Sequence, residues 1–509
     1  GYGIIVQDST DRYLLAGYSS SNISGDKSEN TIQNSNKYDF WVLKLRIENN
    51  PNEVIGRVYA DLNDNNIPDL DDLFLDNVKI QASKNGGLTT HITSDSGKYH
   101  FVNDTGTYKI QPISNLVNFA TVPASQSITH DTFGNNDTIH FKVTPLAFSN
   151  DGSIVLINNG LTRPDRISSY TISYTNESGQ DYSGTIKLKL DNRLAYLSAE
   201  PIPTSIVEDT LIWNFANLSM FTTENIEINF QASDTLVSND KLFSKAKIYN
   251  SKTDVSPANN EYGLVDIVRS SYDPNNKEVD RIILSPLEVL NSPYLYYTVH
   301  FQNVGNDTAF NISIFDTLDY QLDWSTFQPI TSSHDYQLTQ TNNQYIQFDF
   351  INIELPDSTT DIIGSQGFIA YKIKVKNNLE IGNTILNKAS IVFDVNEPIV
   401  TNSTKTAIMQ TNVSSDTTIC SGQSVVLSAT GATSYIWNNG QSTSSITASP
   451  NITTSYIVRG IVDDISQNDT VTVFVNPIVT TYISQAIQQG ESYSFNGQIL
   501  TSPGNYFDT

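Results

Sequence analysis

One cysteine in 509 residues, Cys420, leaves no partner for an internal disulfide and no thiolate set for a zinc or iron–sulfur centre. Basic residues are scarce as well. With 29 Lys and Arg against 54 Asp and Glu, the net charge is −25, so the chain repels phosphate backbones and anionic headgroups, and no nucleic-acid partner is expected. Apolar runs stay well short of the roughly 18 residues that a membrane helix needs, so no membrane insertion is expected of this segment. Histidine occurs six times, at His91, His100, His130, His140, His300 and His334. None of these has the spacing of a metal site, and they read as strand-face or loop residues. Nucleophile elbows, phosphate-cradling glycine loops and dinucleotide fingerprints are missing, together with the parallel α/β context they require. The SGDK run at Ser24 to Lys27 matches a Ser-x-x-Lys pattern only nominally, because it lies in a polar hairpin loop rather than on a helix. The expectation is a non-catalytic chain.

What the chain has in abundance is period-two alternation. In GTIKLKL, Ile186, Leu188 and Leu190 face one way and Lys187 and Lys189 the other. NIEINF, YIQFDFINIEL and AYKIKVK repeat the pattern, and turn clusters such as NESGQ, NVGND and NNGQ separate the runs at short intervals. The length allows several domains, each with its own core. The fold class expected is all-β: serial β-sandwiches in an elongated array. For residues 145–270 the alternation nominates a core of Tyr170, Ile172, Tyr174, Ile186, Leu188, Leu190, Leu211, Trp213, Phe215, Ile226, Ile228 and Phe230. Trp41, Trp213 and Trp437 read as core aromatics, and Trp324, after a turn, as the exposed candidate.

The one concentrated chemical signal is DLNDNNIPDLDD, Asp61 to Asp72. A calcium loop needs oxygen side chains at positions 1, 3, 5, 9 and 12, a carbonyl at 7 and a sharp turn at 6. Asp61, Asn63, Asn65, Asp69 and Asp72 fall on those side-chain positions and Ile67 on the carbonyl. Asn66 stands where the turn glycine is usual, and asparagine is the best substitute at positive φ. Asp72 replaces a long bidentate glutamate, which argues for weak binding. Calcium is therefore expected as a structural ion; the alternative is a solvated acidic turn. Asp273, Asn275 and Glu278 make a lesser candidate, against a reading as an ordinary hydrogen-bonded linker.

Several stretches carry resemblances. GYGIIV, RYLLAGYS and DFWVLKL, with the SGDK loop, make residues 1–49 similar to a partial blade of the propeller-like repeats in secreted Bacteroidota proteins. GRVYADLNDNNIPDLDD, with Asp95, Gly97, Tyr99, Phe101, Gly106 and Tyr108, resembles the B-type repeat of serine-aspartate repeat proteins and the collagen-adhesin B-type fold. That likeness implies a prealbumin-like sandwich over 53–144. Some relatives of that fold carry a lysine-to-asparagine cross-link; Lys79 is the lysine it would use, no matching acid and asparagine stand out, and the bond is not expected there. Residues 145–270 form a further sandwich. SYDPNNKEVD, YYTVHFQNVGNDTAFNISIFDTLDYQLDWSTF and NKASIVFDVNEPIVTNSTKTAI make 271–409 resemble a sandwich of type IX secreted Bacteroidota proteins, which implies an extracellular or outer-surface location. TTICSGQSVVLSATGATSYIWNNG resembles an immunoglobulin-like module over 413–475, with Trp437 on a central strand and Cys420 unpaired. The tail, 477–509, looks like the opening hairpins of another repeat, and both ends of the chain look cut from something longer.

The function these readings suggest is a structural or adhesive segment of a secreted or cell-surface protein, monomeric, stiffened by calcium and displaying a surface to a glycan or protein ligand. Two alternatives stay open: the accessory region of a secreted hydrolase whose catalytic domain lies outside this segment, and a carbohydrate-binding module.

Overall fold

The computed structural model describes residues 4–7, 12–19, 39–46 and 51–506, apart from short stretches at 77, 85–86, 94–96, 114–118, 146–149, 251, 270–272, 363 and 478–480. Among them, regular structure is strand almost throughout, with one short α-helix at Pro286–Leu290 and one 3-10 turn at Pro257–Asn259. The chain divides into two compact units. One takes in residues 1–379 and 384–406, the other 380–383 and 407–509.

The first unit begins with an antiparallel sheet of three strands, Ile4–Gln7, Arg12–Ser19 and Asp39–Arg46. The SGDK loop lies outside the described residues. A first sandwich follows, with the strand Asn52–Ala60 at the centre of one sheet and Lys79–Lys84, Gly87–Ile92, Gly106–Ile113 and Gln126–His130 in the other. Val54, Val58, Ile80, Phe101, Ile110 and Phe141 pack between them. Gly56 is required here, because a Cβ would lie 1.7 Å from the Ile139 carbonyl oxygen and 2.6 Å from the Tyr99 hydroxyl. That hydroxyl donates to the same carbonyl at 2.6 Å.

A second sandwich stacks a four-stranded sheet, from Gly152–Asn158 to Leu194–Glu200, on a five-stranded sheet, from Ser205–Val207 to Glu261–Ile267. The core nominated from alternation is the core found: Tyr170, Ile172, Tyr174, Ile186, Leu188, Leu190, Leu211, Trp213, Ile226, Ile228 and Phe230 share one buried cluster, and half-buried Phe215 packs against it. Lys187 and Lys189 are exposed, as the period of a half-buried strand demands. A third sandwich sets the sheet Asn276–Val279, Tyr294–Gln302, Gln366–Val375, Leu322–Ser332 against Gln337–Thr341, Tyr345–Leu355, Ala309–Thr317, Ala389–Phe393 and Ile399–Val400.

A series of modules meeting only at linkers would leave the first and third sandwiches apart. They are joined instead. Gly87–Ile92 pairs antiparallel with Gln337–Thr341, matching His91 with Thr339, Thr90 with Gln340 and Thr89 with Thr341, and the two half-sheets run on as nine strands. The second sandwich touches both neighbours. Phe221 meets Phe119 edge-on at 4.2 Å between ring centroids, and Val155 and Ile157 form a small apolar cluster with Phe368 and Ala370.

The second unit is a seven-stranded sandwich: Asn412–Val413, Val425–Thr430 and Ser445–Ala448 face Thr417–Cys420, Ile465–Asn476, Thr454–Val462 and Ser434–Trp437. Trp437 lies in its core beside Leu427, Val458, Val471 and Val473, as the immunoglobulin-like pattern implies, but its strand is at the edge of the four-stranded sheet, paired with Thr454–Val462, rather than central. Cys420 is exposed and unpaired. Near the end a hairpin of Tyr493–Phe495 and Gln498–Leu500 turns at Asn496 and Gly497, both at positive φ.

Candidate functional site

The loop Asp61 to Asp72 leaves the central strand Asn52–Ala60 and returns at Leu73–Phe74, which pairs back onto that strand. Two residues take left-handed backbone, Asp64 at φ 57° and Asn66 at φ 61°, so the sharp turn falls at Asn66, where the spacing puts it. The carboxylate of Asp61 accepts from the backbone N–H of Asn65 at 3.2 Å and of Asn66 at 2.9 Å. Asn63 and Asn65 reach Asp69 through their amides, at 3.2 Å and 2.6 Å. Four of the six nominated residues, Asp61, Asn63, Asn65 and Asp69, are thereby drawn into one loop.

The other two are placed differently. Asp72 clasps the loop's ends, its oxygens accepting from the N–H groups of Leu62 at 3.0 Å and Asp69 at 3.1 Å. A short side chain engaged in this way does not reach inward as a bidentate ligand. Ile67 is exposed and donates its N–H to the Asn65 side-chain oxygen at 2.7 Å. Among the described residues no three His, Cys, Asp or Glu side chains gather as a metal group, so an ion here would depend on the amide oxygens of Asn63 and Asn65. Their amides would have to turn over to offer oxygen rather than nitrogen, an exchange that costs little in a solvated loop. The donor set fits a hard cation with that adjustment.

Sequence spacing gave no hint of Lys142. Its ammonium, on the strand Phe141–Pro145, lies 3.3 Å from Asp61 and also donates to Asn66. Burial works against ionisation of Asp61, but the N–H of Asn66, the Lys142 ammonium and the N–H of Asn65 outweigh it and hold the carboxyl below its ordinary range. At Asp69 the N–H of Asp71 and the two asparagine amides act in the same direction. The loop is thus a set of ionised oxygens against which one lysine already leans, and a divalent ion would compete with it.

Asp273, Asn275 and Glu278 do not come together. The Asp273 carboxylate caps the N–H of Asn275 at 2.9 Å, the Asn275 side chain accepts from Gln302, and Glu278 faces His300 at 3.9 Å. This is the hydrogen-bonded linker. The histidines sit on strands or in adjoining loops, His130 buried against Asp137 at 2.7 Å. Trp324 is half-buried and donates to the Asp319 carbonyl at 2.8 Å. Ser333 and His334 form a hydroxyl–imidazole contact at 2.8 Å, yet the same hydroxyl accepts from the Phe368 N–H at 2.8 Å and ties two strands together.

Lys79 is buried between the first and third sandwiches, donating to the Ser325 carbonyl at 3.2 Å with its ammonium 5.4 Å from the centre of the Phe327 ring. Burial pushes its pKa down to about 7 from the ordinary 10.5, against a smaller upward pull from Asp323. Below about pH 7 both folded and unfolded chains hold this proton and the burial cost is complete. Between about 7 and 10.5 only the unfolded chain holds it, so stability climbs with pH over that window. Lys79→Met should remove the climb and stabilise the first unit near neutral pH by about 1–4 kcal/mol. Urea unfolding of both chains at pH 6.5 and pH 9.5 checks this, and parallel pH dependences would refute it.

Residues 273–407 match a family described as a domain of unknown function, DUF7619. None of the curated proteins matches the chain. Among solved structures, a variant of BcpA, the major pilin subunit of Bacillus cereus, is similar at 11% identity, covering 84% of this chain and 99% of that one with a TM-score of 0.21. The collagen-binding domain from a Staphylococcus aureus adhesin is 16% identical, over 27% and 99% of the two chains, with a TM-score of 0.19. A DUF3823 family protein from Parabacteroides merdae is 11% identical over 43% and 99%, with a TM-score of 0.17. At such TM-scores no residue or role transfers from these structures.

Proposed function

We propose that this chain is a non-catalytic structural or adhesive part of a secreted or cell-surface protein, a group of β-sandwiches held rigid so that one surface can be presented to a partner. The observation that carries this reading is the three-way packing of the first unit, in which each sandwich touches the other two. Such an arrangement fixes relative positions without needing a moving site. Calcium in the Asp61–Asp72 loop would add to that rigidity, held by Asp61, Asn63, Asn65 and Asp69 with the carbonyl of Ile67, and with Asp72 if it lets go of the loop's backbone. A type IX exported protein of Bacteroidota is the origin that the sequence resemblances suggest.

For a site of this charge and exposure the expected dissociation constant is on the order of 0.1–1 mM. At tenfold saturation the bound ion would add about 1.4 kcal/mol. Thermal melts in excess calcium and in chelator should therefore differ, and limited proteolysis between residues 60 and 72 should be slower with the ion. Lys142→Met should tighten calcium binding several-fold by removing the competing ammonium, while Asp69→Ala should abolish the calcium response and leave the melt in chelator nearly unchanged. Identical melts and cleavage with and without calcium would sink the calcium part of this proposal and leave the presenting role standing.

A second reading, glycan binding, is favoured by an open polar cleft of about 670 Å³ where all three sandwiches meet. Asp76 and Thr93 line it from the first, Thr223 and Asn225 from the second, and the run from Ile330 to Leu338 from the third. A glycan array with the intact chain and a Tyr336→Ala variant tests it; an array without signal removes it.

A further inference from the structure

The third sandwich contains a chemical arrangement that display of a surface does not use. Lys277 lies on the strand Asn276–Val279, with Val299 opposite it on the neighbouring strand. Its side chain is wholly enclosed, as is that of Asp316 on the facing sheet, and its ammonium touches the Asp316 carboxylate. The Tyr297 and Tyr371 rings wall the pair in, their centroids 5.1 Å and 5.4 Å from the lysine nitrogen. The Tyr371 hydroxyl donates to the same Asp316 oxygen at 2.7 Å, and the Asn387 amide donates to that hydroxyl at 2.9 Å. Register agrees with this convergence, since Asp316 pairs with Ala389, two residues on from Asn387. Amine and carboxyl thus touch inside an enclosed aromatic pocket, and the carboxamide joins them through the Tyr371 hydroxyl, with Lys277 only 1% exposed and Asp316 and Asn387 each 2%.

Two polar atoms in that pocket have no hydrogen-bond partner, Oδ1 of Asp316 and Oδ1 of Asn387. Each orphan carries a desolvation cost that no hydrogen bond offsets. An enclosed lysine–aspartate ion pair carries a desolvation cost of its own. One reaction removes both problems.

We propose that Lys277 and Asn387 become joined by an intramolecular amide bond, with Asp316 carrying the proton. The Lys277 ammonium gives a proton to Asp316, leaving a neutral amine and a carboxylic acid. The amine lone pair then forms a bond from Nζ to Cγ of Asn387, and the carbonyl π pair moves onto Oδ1, where the Asp316 acid donates a hydrogen bond. A proton from the attacking nitrogen passes by way of Asp316 to Nδ2, the Cγ–Nδ2 bond breaks, and ammonia leaves as the carbonyl reforms. No oxidant, cofactor or second substrate is required. In the product the protonated Asp316 and the former Asn387 oxygen satisfy each other, the new amide N–H faces the other Asp316 oxygen, and the pocket holds no charged group. Burial supports the first step by pushing the Lys277 pKa down, against the upward pull of Asp316.

Asp316 itself is the poorer acceptor, because a carboxylate resists nucleophilic attack and the oxygen nearest the amine is already held by Tyr371. The cross-link would tie the first strand of the sandwich to one of its last and close most of the DUF7619 segment into a covalent loop.

Intact mass of the purified chain tests the proposal. The expected mass is about 17 Da below that of the sequence, the mass of one ammonia, and a digest should give one branched peptide joining Lys277 to Asn387. Asn387→Ala and Asp316→Ala should each return to their full sequence mass. An unshifted wild-type mass overturns the proposal, and so does a loss of about 18 Da with the branch mapping to Asp316, which would be a lysine–aspartate bond formed by loss of water. Should either variant fail to fold, the wild-type mass and branched peptide still decide the matter alone.

Discussion

Asp316→Ala should lower the stability of the first unit by about 3–5 kcal/mol, the cost of removing one member of a buried charged pair. The side chains of Asp316 and Lys277 are both fully enclosed, so water cannot replace the lost carboxylate, and Tyr371 loses the acceptor of its hydroxyl at the same time. Urea unfolding followed by tyrosine fluorescence reads the change. The double variant Lys277→Met with Asp316→Leu separates two causes. If a stranded charge is responsible, filling the pocket with apolar groups should restore most of the loss. If the double variant is as unstable as the single, the loss belongs to a missing covalent tie between strands. A single variant within about 1 kcal/mol of wild type would show that the pocket is far wetter than its burial implies.

Trp437→Ala should cost the second unit about 3–5 kcal/mol. The indole is 1% exposed and donates to the Thr443 carbonyl at 2.9 Å. It fills the space between two small sheets whose other core residues are mostly Val, Ile and Ala. No disulfide shares the work, because Cys420 is exposed and unpaired. Cys420→Ser should accordingly change stability by no more than about 0.5 kcal/mol. Thermal unfolding of the full chain, followed by the tryptophan signal where it survives and by circular dichroism where it does not, compares the two variants. A large effect at Cys420 with a small one at Trp437 would overturn this account of how the unit is held together.

The strands and cores were legible because alternation is a local signal: a half-buried strand shows its period within six residues, as Ile186 to Lys189 do. The turn inside the Asp61–Asp72 loop was legible for the same reason, since the positive φ of Asn66 follows from its position among the oxygen residues. The rest depends on distant neighbours. SYDPNNKEVD reads as a polar linker, yet Asn275, Asn276 and Lys277 are buried, because the partners that make this tolerable lie at Asp316, Tyr371, Asn387 and Asn402. Asn402 holds the Lys277 backbone through two hydrogen bonds of 2.9 Å, and nothing near Lys277 in the chain announces it. Lys142 and Asp61 likewise meet only through the parallel pairing of Phe141–Pro145 with Asn52–Ala60. Lys79 showed the opposite case: a lysine noticed from resemblance to cross-linked folds proved to be buried against Phe327, while the residues that could support such a bond lie around Lys277.

The seam between Gly87–Ile92 and Gln337–Thr341 also sets an order of events at the ribosome. The earlier strand leaves the exit tunnel while its partner is still untranslated, and at ordinary elongation rates it waits on the order of ten seconds or more. During that wait it is an open edge, the kind of template on which nascent chains stick to one another. The paired positions of this strand are occupied by Thr89, Thr90 and His91, and a strand with polar residues at its pairing positions is a weaker aggregation segment than an apolar one.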